Sequence, residues 1–412
     1  MLKKINVNSL LFYYILFMAL LLNYVEKVKI WQFAFAALIF MVFVGSYRFR
    51  SIFISNSREI IILLVLICLS MFCSEHNEFA FMNFRGVITP SIACLSLFTI
   101  MKSNRSRFEK MLMSCVKIIN AWWVLNIIAL LIQISGYPIF LKQKWIDASP
   151  YYKDLCCGLF GQNRTHELVL FSCMIYSCNL KVCELLNEKN RRKGARLLLI
   201  YTIVSELLML VISTQNDNTA MFLFLPWSIL LRGIIKDYDK AIGVFKKSLK
   251  YIVVVILAIV AIRLSLFIPS IREVFEDYLY RRLYDMLNYN KVGVAGSNER
   301  LAIVEYALSL RESYLFGQGF GMEMFGEHIA HGFKHFGLSS IGSTIYIAGL
   351  WYYLMQIIIY CRMFVGKINQ NRESNIVIRI LIFVTIFSLS IYSPIFISFS
   401  SIIFLTLFFA YI

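Results

Sequence analysis

Residues 191–213 read RRKGARLLLIYTIVSELLMLVIS. Four cations, Arg191, Arg192, Lys193 and Arg196, are followed by an apolar run from Leu197 to Ser213 in which Glu206 is the one charged residue. Wound as a helix at 1.5 Å per residue, that run is about 25 Å long, close to the thickness of a bilayer's hydrocarbon core. The same pattern recurs along the chain: Ser9 to Asn23, Ile30 to Ser46, Ile60 to Cys73, Val87 to Met101, Met111 to Ile134, Leu168 to Leu186, Ala220 to Leu231, Ile252 to Ile268, Leu338 to Tyr360, Ile376 to Tyr392 and Ile395 to Ile412. The fold class implied is all-α, a polytopic transmembrane helix bundle of about twelve helices.

Composition agrees. The 412 residues are 59% hydrophobic and 16% charged, with a mean hydropathy of +0.70, too apolar for a soluble protein of this size. The formal charge of +17 would suit a nucleic-acid surface if it were gathered in one patch. It is instead dealt out to alternate loops: Lys3 and Lys4; Arg48, Arg50 and Arg58; Lys102, Arg105, Arg107 and Lys110; Arg191 to Arg196; Lys236 to Lys250; Arg362, Lys367 and Arg372. Cationic loops stay on the cytoplasmic side, so the charge reads as topology with both termini cytoplasmic, and no nucleic-acid partner is expected. No small-residue cleavage site follows the first apolar run, which is read as a retained helix. The ten cysteines sit mostly in apolar segments and suit packing better than a disulfide or zinc framework. With no internal repeat or linker, residues 1–412 form a single integral membrane domain.

Two connections on the external side are long enough to build a site: 136–167 and 269–337. The second opens with Ile271, Val274, Phe275, Tyr278, Leu279, Arg282 and Leu283 at the spacing of an amphipathic helix, suited either to capping the bundle or to gating a substrate. A second helix is expected from Asn298 to Glu312. Arg300, Val304, Ala307 and Arg311 share one of its faces, and the two arginines start about 16 Å apart along the axis. Turned inward they suit an extended anionic head group; turned outward they are solvated charges. Gly317, Gly319 and Gly321 make a tight turn that lacks the strand and the Gly-Lys-Ser/Thr of a nucleotide loop. Asp237-Tyr238-Asp239 resembles a metal-binding motif, but its short loop leaves no room for a nucleotide domain, and no metal or cofactor is expected. At membrane depth Glu206 stands out, with Arg263 near a helix end; ion-coupled carriers bury more such groups.

The stretch Gly296-Ser297-Asn298-Glu299-Arg300-Leu301, followed by Tyr314 to Gly321, resembles the large external loop of Wzy-type O-antigen and capsule polymerases. There an Arg-headed helix leads to a glycine-rich turn and then to a membrane helix, a continuation matched by Ile341-Gly342 and Gly349-Leu350. Gly158 to Gly161 is similar to a second landmark of that family, with Gln162 and Asn163 in place of its acidic residue and proline, and Ser213 to Thr219 is a looser third. O-antigen ligases share the layout. The resemblance implies a glycosyltransferase of the bacterial cytoplasmic membrane that polymerises undecaprenyl-diphosphate-linked repeat units on the outer face. Membrane lipids, a flippase and a chain-length regulator would be its partners. A ligase is the near alternative, and a lipid-linked oligosaccharide flippase or other transporter the distant one.

Breaking the anomeric C–O bond leaves negative charge on the diphosphate, which a prepositioned cation stabilises by roughly 3 kcal/mol. The expected catalytic residues are Arg300 and His331, the latter as base for the acceptor hydroxyl, with His335, Glu299 and Glu327 as other candidates. Arg164, Arg311 and Arg85 are expected to bind substrate.

Overall fold

The structure, a computed structural model, describes residues 7–25, 30–72, 80–142, 152–162, 164–216, 218–237, 304–309, 314–320, 340–368, 376–396 and 398–411. The described part is helical, with one isolated antiparallel bridge between Cys156 and Gln162. Its α-helices are α1 (Val7–Val25), α2 (Ile30–Gly45), α3 (Tyr47–Phe72), α4 (Ala80–Ser103), α5 (Arg105–Ile134), α6 (Thr165–Glu188), α7 (Arg192–Gln215), α8 (Thr219–Asp237), α9 (Ser340–Ile368), α10 (Ile376–Tyr392) and α11 (Phe399–Tyr411). Six apolar stretches, within α3, α4, α5, α6, α7 and α9, are long enough to cross a membrane; α1, α2, α8, α10 and α11 are shorter apolar helices. The expected span Ile252 to Ile268 and the amphipathic segment after Ile271 lie outside the described residues.

The helices are arranged as lipid demands, with apolar residues outward and polar residues inward. On α7, Leu197, Ile200, Ile203, Val204, Leu207 and Val211 are exposed, whereas Thr202, Ser205, Glu206 and Ser213 are buried. A water-soluble helix has the reverse pattern. α11 is mostly apolar and almost every residue of it is buried, packed mainly against α6, α4 and α1. Polar side chains inside the bundle bond to one another: Asn120 and Asn179 exchange amide bonds of 2.7 and 2.9 Å between α5 and α6, and Asn179 Nδ2 also donates to Thr202 Oγ1 of α7 at 3.0 Å.

Several bounds differ from expectation: α4 starts at Ala80 rather than Val87, α5 at Arg105 rather than Met111, and α11 at Phe399 rather than Ile395. Residues 47–59, read as a basic loop before a span beginning at Ile60, are the first half of α3. Charge does not interrupt helix formation, and Ser46 Oγ accepts from Phe49 N at 3.3 Å to start the first turn. Glu59, facing the bundle, then pairs with Arg58 at 3.3 Å and with Arg362 of α9 at 3.2 Å. α9, expected as one continuous span, is broken at Gly349, whose φ of 85° and ψ of 167° belong to no helix.

Side-chain bonds fix which helix ends lie together. At the end rich in cations, Arg232 of α8 donates to Glu184 Oε1 of α6 at 2.9 Å and to the Tyr411 carbonyl at 2.9 Å, while Tyr411 Oη donates to the Leu112 carbonyl of α5 at 2.8 Å. The opposite end, here the loop end, gathers the end of α5, the starts of α6, α9 and α11, and the connections described next.

Candidate functional site

The loop end is organised by backbone turns gripped by buried amides. Asn126 and Gln133 lie two turns apart on α5, both fully buried. Asn126 Oδ1 accepts from Leu159 N at 2.7 Å and Gln133 Oε1 from Gly158 N at 2.9 Å, while Gln133 Nε2 donates to the Ile139 carbonyl at 2.7 Å. The approach is so close that a Cβ on Gly158 would stand 2.5 Å from Asn126 Oδ1. From α7, Asn216 Nδ2 donates to the Cys156 carbonyl at 3.0 Å. Cys157 Sγ accepts from Arg164 N at 3.2 Å, and burial pushes its thiol pKa well above the ordinary cysteine range despite that bond.

Arg164 stands at the head of α6, and its Nη1 donates to Glu167 Oε1 at 2.8 Å. Glu167 is buried, whereas Arg164 keeps about 24% of its side chain exposed. The same carboxylate oxygen accepts from Ser398 Oγ at 2.8 Å, and His166 Nε2 lies 3.7 Å away. Ser398 ends the non-helical connection between α10 and α11. The other end of that connection is tied to α9: Ser340 N donates to the Ser393 carbonyl at 3.2 Å, and Phe396 N to Ser340 Oγ at 3.3 Å. One connection therefore joins the heads of α6, α9 and α11.

The glycine-rich turn at 314–320 is inserted into the break in α9. Gln318 N and Gly319 N donate to the Tyr346 and Ile347 carbonyls at 2.7 and 3.0 Å. Below the break, Leu350 N and Trp351 N donate to the Tyr314 and Leu315 carbonyls at 2.8 and 3.4 Å. The groups freed by breaking the helix are thus satisfied by the turn, the condition on which irregular backbone is tolerated inside a membrane protein. Ser70 Oγ of α3 adds a bond to the Ile347 carbonyl at 3.2 Å, and buried Phe320 packs edge-on against Tyr352.

Of the expected site residues, Arg164 belongs to this cluster, and Arg85 is half-buried near the start of α4, with no hydrogen bond or ion pair to another described residue. Arg300, Arg311 and His331 lie outside the described residues, as do Glu299, Glu327, His335 and Arg263. Within the expected Asn298 to Glu312 helix, residues 304–309 are helical; Ala307 is buried, and Val304 packs against the core. These are the middle members of the face on which the sequence spacing expects Arg300 and Arg311. Asn126, Gln133, Glu167 and Ser398 were not foreseen as site-building residues; their visible signal is a polar side chain within or at the edge of an apolar run. An apolar groove of about 300 Å³, lined by Ile358, Cys361, Arg379, Ile380 and Phe383, lies between α9 and α10 toward the other end.

No protein-family model matches the chain, and no curated protein or solved structure does either. What the loop end offers chemically is a partly exposed guanidinium held on a buried carboxylate, next to the 156–162 turn. Such a surface suits an anionic head group better than a neutral one.

Proposed function

We propose that this chain polymerises lipid-diphosphate-linked oligosaccharide units into O-antigen or capsular polysaccharide, as a twelve-span glycosyltransferase with both termini in the cytoplasm and the loop end facing outward. The observation that carries the reading is the connection 393–398. It links the head of α6, beside the Gly158 to Gly161 turn, to the head of α9, into which the 314–320 turn is inserted. Two of the stretches that resemble the polymerases, 158–161 and 314–320, are thereby brought to one end of one bundle. In support, Val304 and Ala307, which the sequence places on the face expected to carry Arg300 and Arg311, are turned to the core.

In this reading Arg300 takes up the charge that develops on the departing diphosphate, while Arg164, Arg311 and Arg85 hold the lipid-linked units. His331 accepts the proton of the attacking sugar hydroxyl. The diphosphate lipid is itself the activated donor, so transfer between purified lipid-linked units should proceed in EDTA without a sugar nucleotide. Deleting the gene and analysing the surface glycan tests the proposal: single-repeat caps support it. Unattached long chains on lipid would instead mark a ligase, and loss of every external unit a flippase. At residue level, Arg300→Ala should abolish polymer at normal protein abundance, and Arg300→Lys should restore part of it; Arg272→Ala, which removes an equal charge from the amphipathic segment after Ile271, should leave it unchanged.

A further inference from the structure

The buried face of α7 carries a row of polar groups that the bundle does not satisfy. Thr202, Glu206, Ser213 and Asn216 fall within one side of the helix, and each is buried. Thr202 is fully engaged, donating to the Leu198 carbonyl and accepting from Asn179. Glu206 Oε2 accepts from Ser172 Oγ of α6. From there toward the loop end, Glu206 Oε1, Ser213 Oγ and Asn216 Oδ1 have no partner among the described residues, nor has Asn218 Nδ2 just beyond the helix. Each such group left unpaired in a dry interior is costly. Three of these groups lie on one side of α7 and its cap, with the fourth just beyond, and together they point to a ligand.

The chemistry of the row says which ligand. Ser213 lies two turns from Glu206, about 10 Å along the axis, too far for one ion to bridge. The row also mixes acceptors with a donor, the amide of Asn218. A metal cation would use the acceptors and be repelled by the donor, whereas water satisfies both. The helical part of the row ends at Asn216, whose other amide atom holds the Cys156 carbonyl at the loop end.

We propose that Glu206 is a proton-exchanging carboxyl inside the bundle, reached from the loop end by water held along Ser213, Asn216 and Asn218. The step is a simple transfer: the carboxylate takes a proton from hydronium and releases water, or returns the proton the same way. Among the described residues, the titratable groups that interact with Glu206 are Cys173 of α6 and Tyr201 of α7; α8 presents the Ser228 hydroxyl, which bonds Cys173, and α5 presents Asn120 beside Tyr201. None of them is an acid that would replace Glu206 as the exchanging group at neutral pH. The inference does not depend on the reaction proposed above.

Infrared difference spectroscopy of the full-length protein, oriented in lipid vesicles, tests it through the protonated-carboxyl stretch. The expected result is a band that follows a pH step in the bath on the loop-end side and is lost in Glu206→Gln, a variant that keeps an acceptor for Ser172. Ser213→Leu, which fills the row with an apolar side chain, should abolish the response. In the unmodified protein, heavy water added to the loop-end bath alone should shift the band, a reading that needs no variant. Absence of any Glu206-dependent band, or a band that follows only the opposite bath, would overturn the proposal.

Discussion

Gly317 and Gly349 interlock through their backbones. A Cβ on Gly349 would stand 2.2 Å from the Leu315 carbonyl oxygen, and one on Gly317 would stand 2.3 Å from that of Ile347. Both residues have positive φ, 79° and 85°. Neither position tolerates a side chain, because the turn and the broken helix share their hydrogen bonds and have no space to separate without losing them.

Gly349→Ala should therefore expel the 314–320 turn from α9. The backbone conformation alone costs a non-glycine residue about 1–3 kcal/mol, to which the lost bonds add. Thermal unfolding in detergent should move down by several degrees, and cleavage by protease within the turn should accelerate. Gly45→Ala, at a site with nothing within 4 Å of the added atom, should leave both measurements unchanged.

Ser398→Ala removes the hydroxyl that ties the α10–α11 connection to Glu167. A hydrogen bond to a charged group contributes about 1.5–3 kcal/mol, so the midpoint of denaturant unfolding should fall accordingly. Glu167→Ala should cost more than Ser398→Ala, since it releases Arg164 as well. If the loop end is the site of glycan transfer, both variants should shorten the surface polymer, as read from its ladder on a gel.

Arg232 is buried with three acceptors, the Ser177 and Tyr411 carbonyls and Glu184. Removing one partner of a buried ion pair costs about 3–5 kcal/mol, and Arg232→Ala should approach the lower figure because Glu184 keeps about 29% of its side chain exposed. Arg232→Lys should recover part of that loss, since an ammonium cannot reach all three acceptors in the geometry of a guanidinium. Detergent-solubilised protein measured by thermal unfolding distinguishes the two.

Cys157 is fully buried, and the same burial that raises its thiol pKa keeps it from forming the reactive thiolate. A membrane-impermeant maleimide should leave it unlabelled in intact membranes at neutral pH and label it after denaturation. Raising the pH through the ordinary cysteine range should not change this, because the folded thiol still holds its proton there. Labelling before denaturation would show that the 156–162 turn opens.

Sidedness is tested by reporter fusions. One placed after Lys193 should be active only in the cytoplasm, and one near Asn290 only outside. Tyr137, exposed in the described connection after α5, offers a second position expected outside. Cytoplasmic activity at either external position would reverse the placement of the loop end.

The helices were legible because each depends on local facts: the length of an apolar run and the absence of a breaker, as in Leu197 to Ser213 or Ile376 to Tyr392. Where local facts mislead, the reading slipped. The cations of 47–59 look like a loop by hydropathy, yet nothing in them stops a helix, and Glu59 finds its second cation 303 positions away at Arg362. Hydropathy is equally blind to the break in α9, since Gly349 is apolar and its φ is set by a turn more than thirty positions earlier in the chain. The candidate site follows the same division. Glycine turns and an exposed arginine are visible one residue at a time, so Gly158, Gly317 and Arg164 could be singled out from sequence. The grip on them could not, because Asn126, Gln133, Glu167 and Ser398 act only through partners brought near by packing. Apolar length is a property of the segment, and tertiary structure alone decides which buried polar atom answers which other.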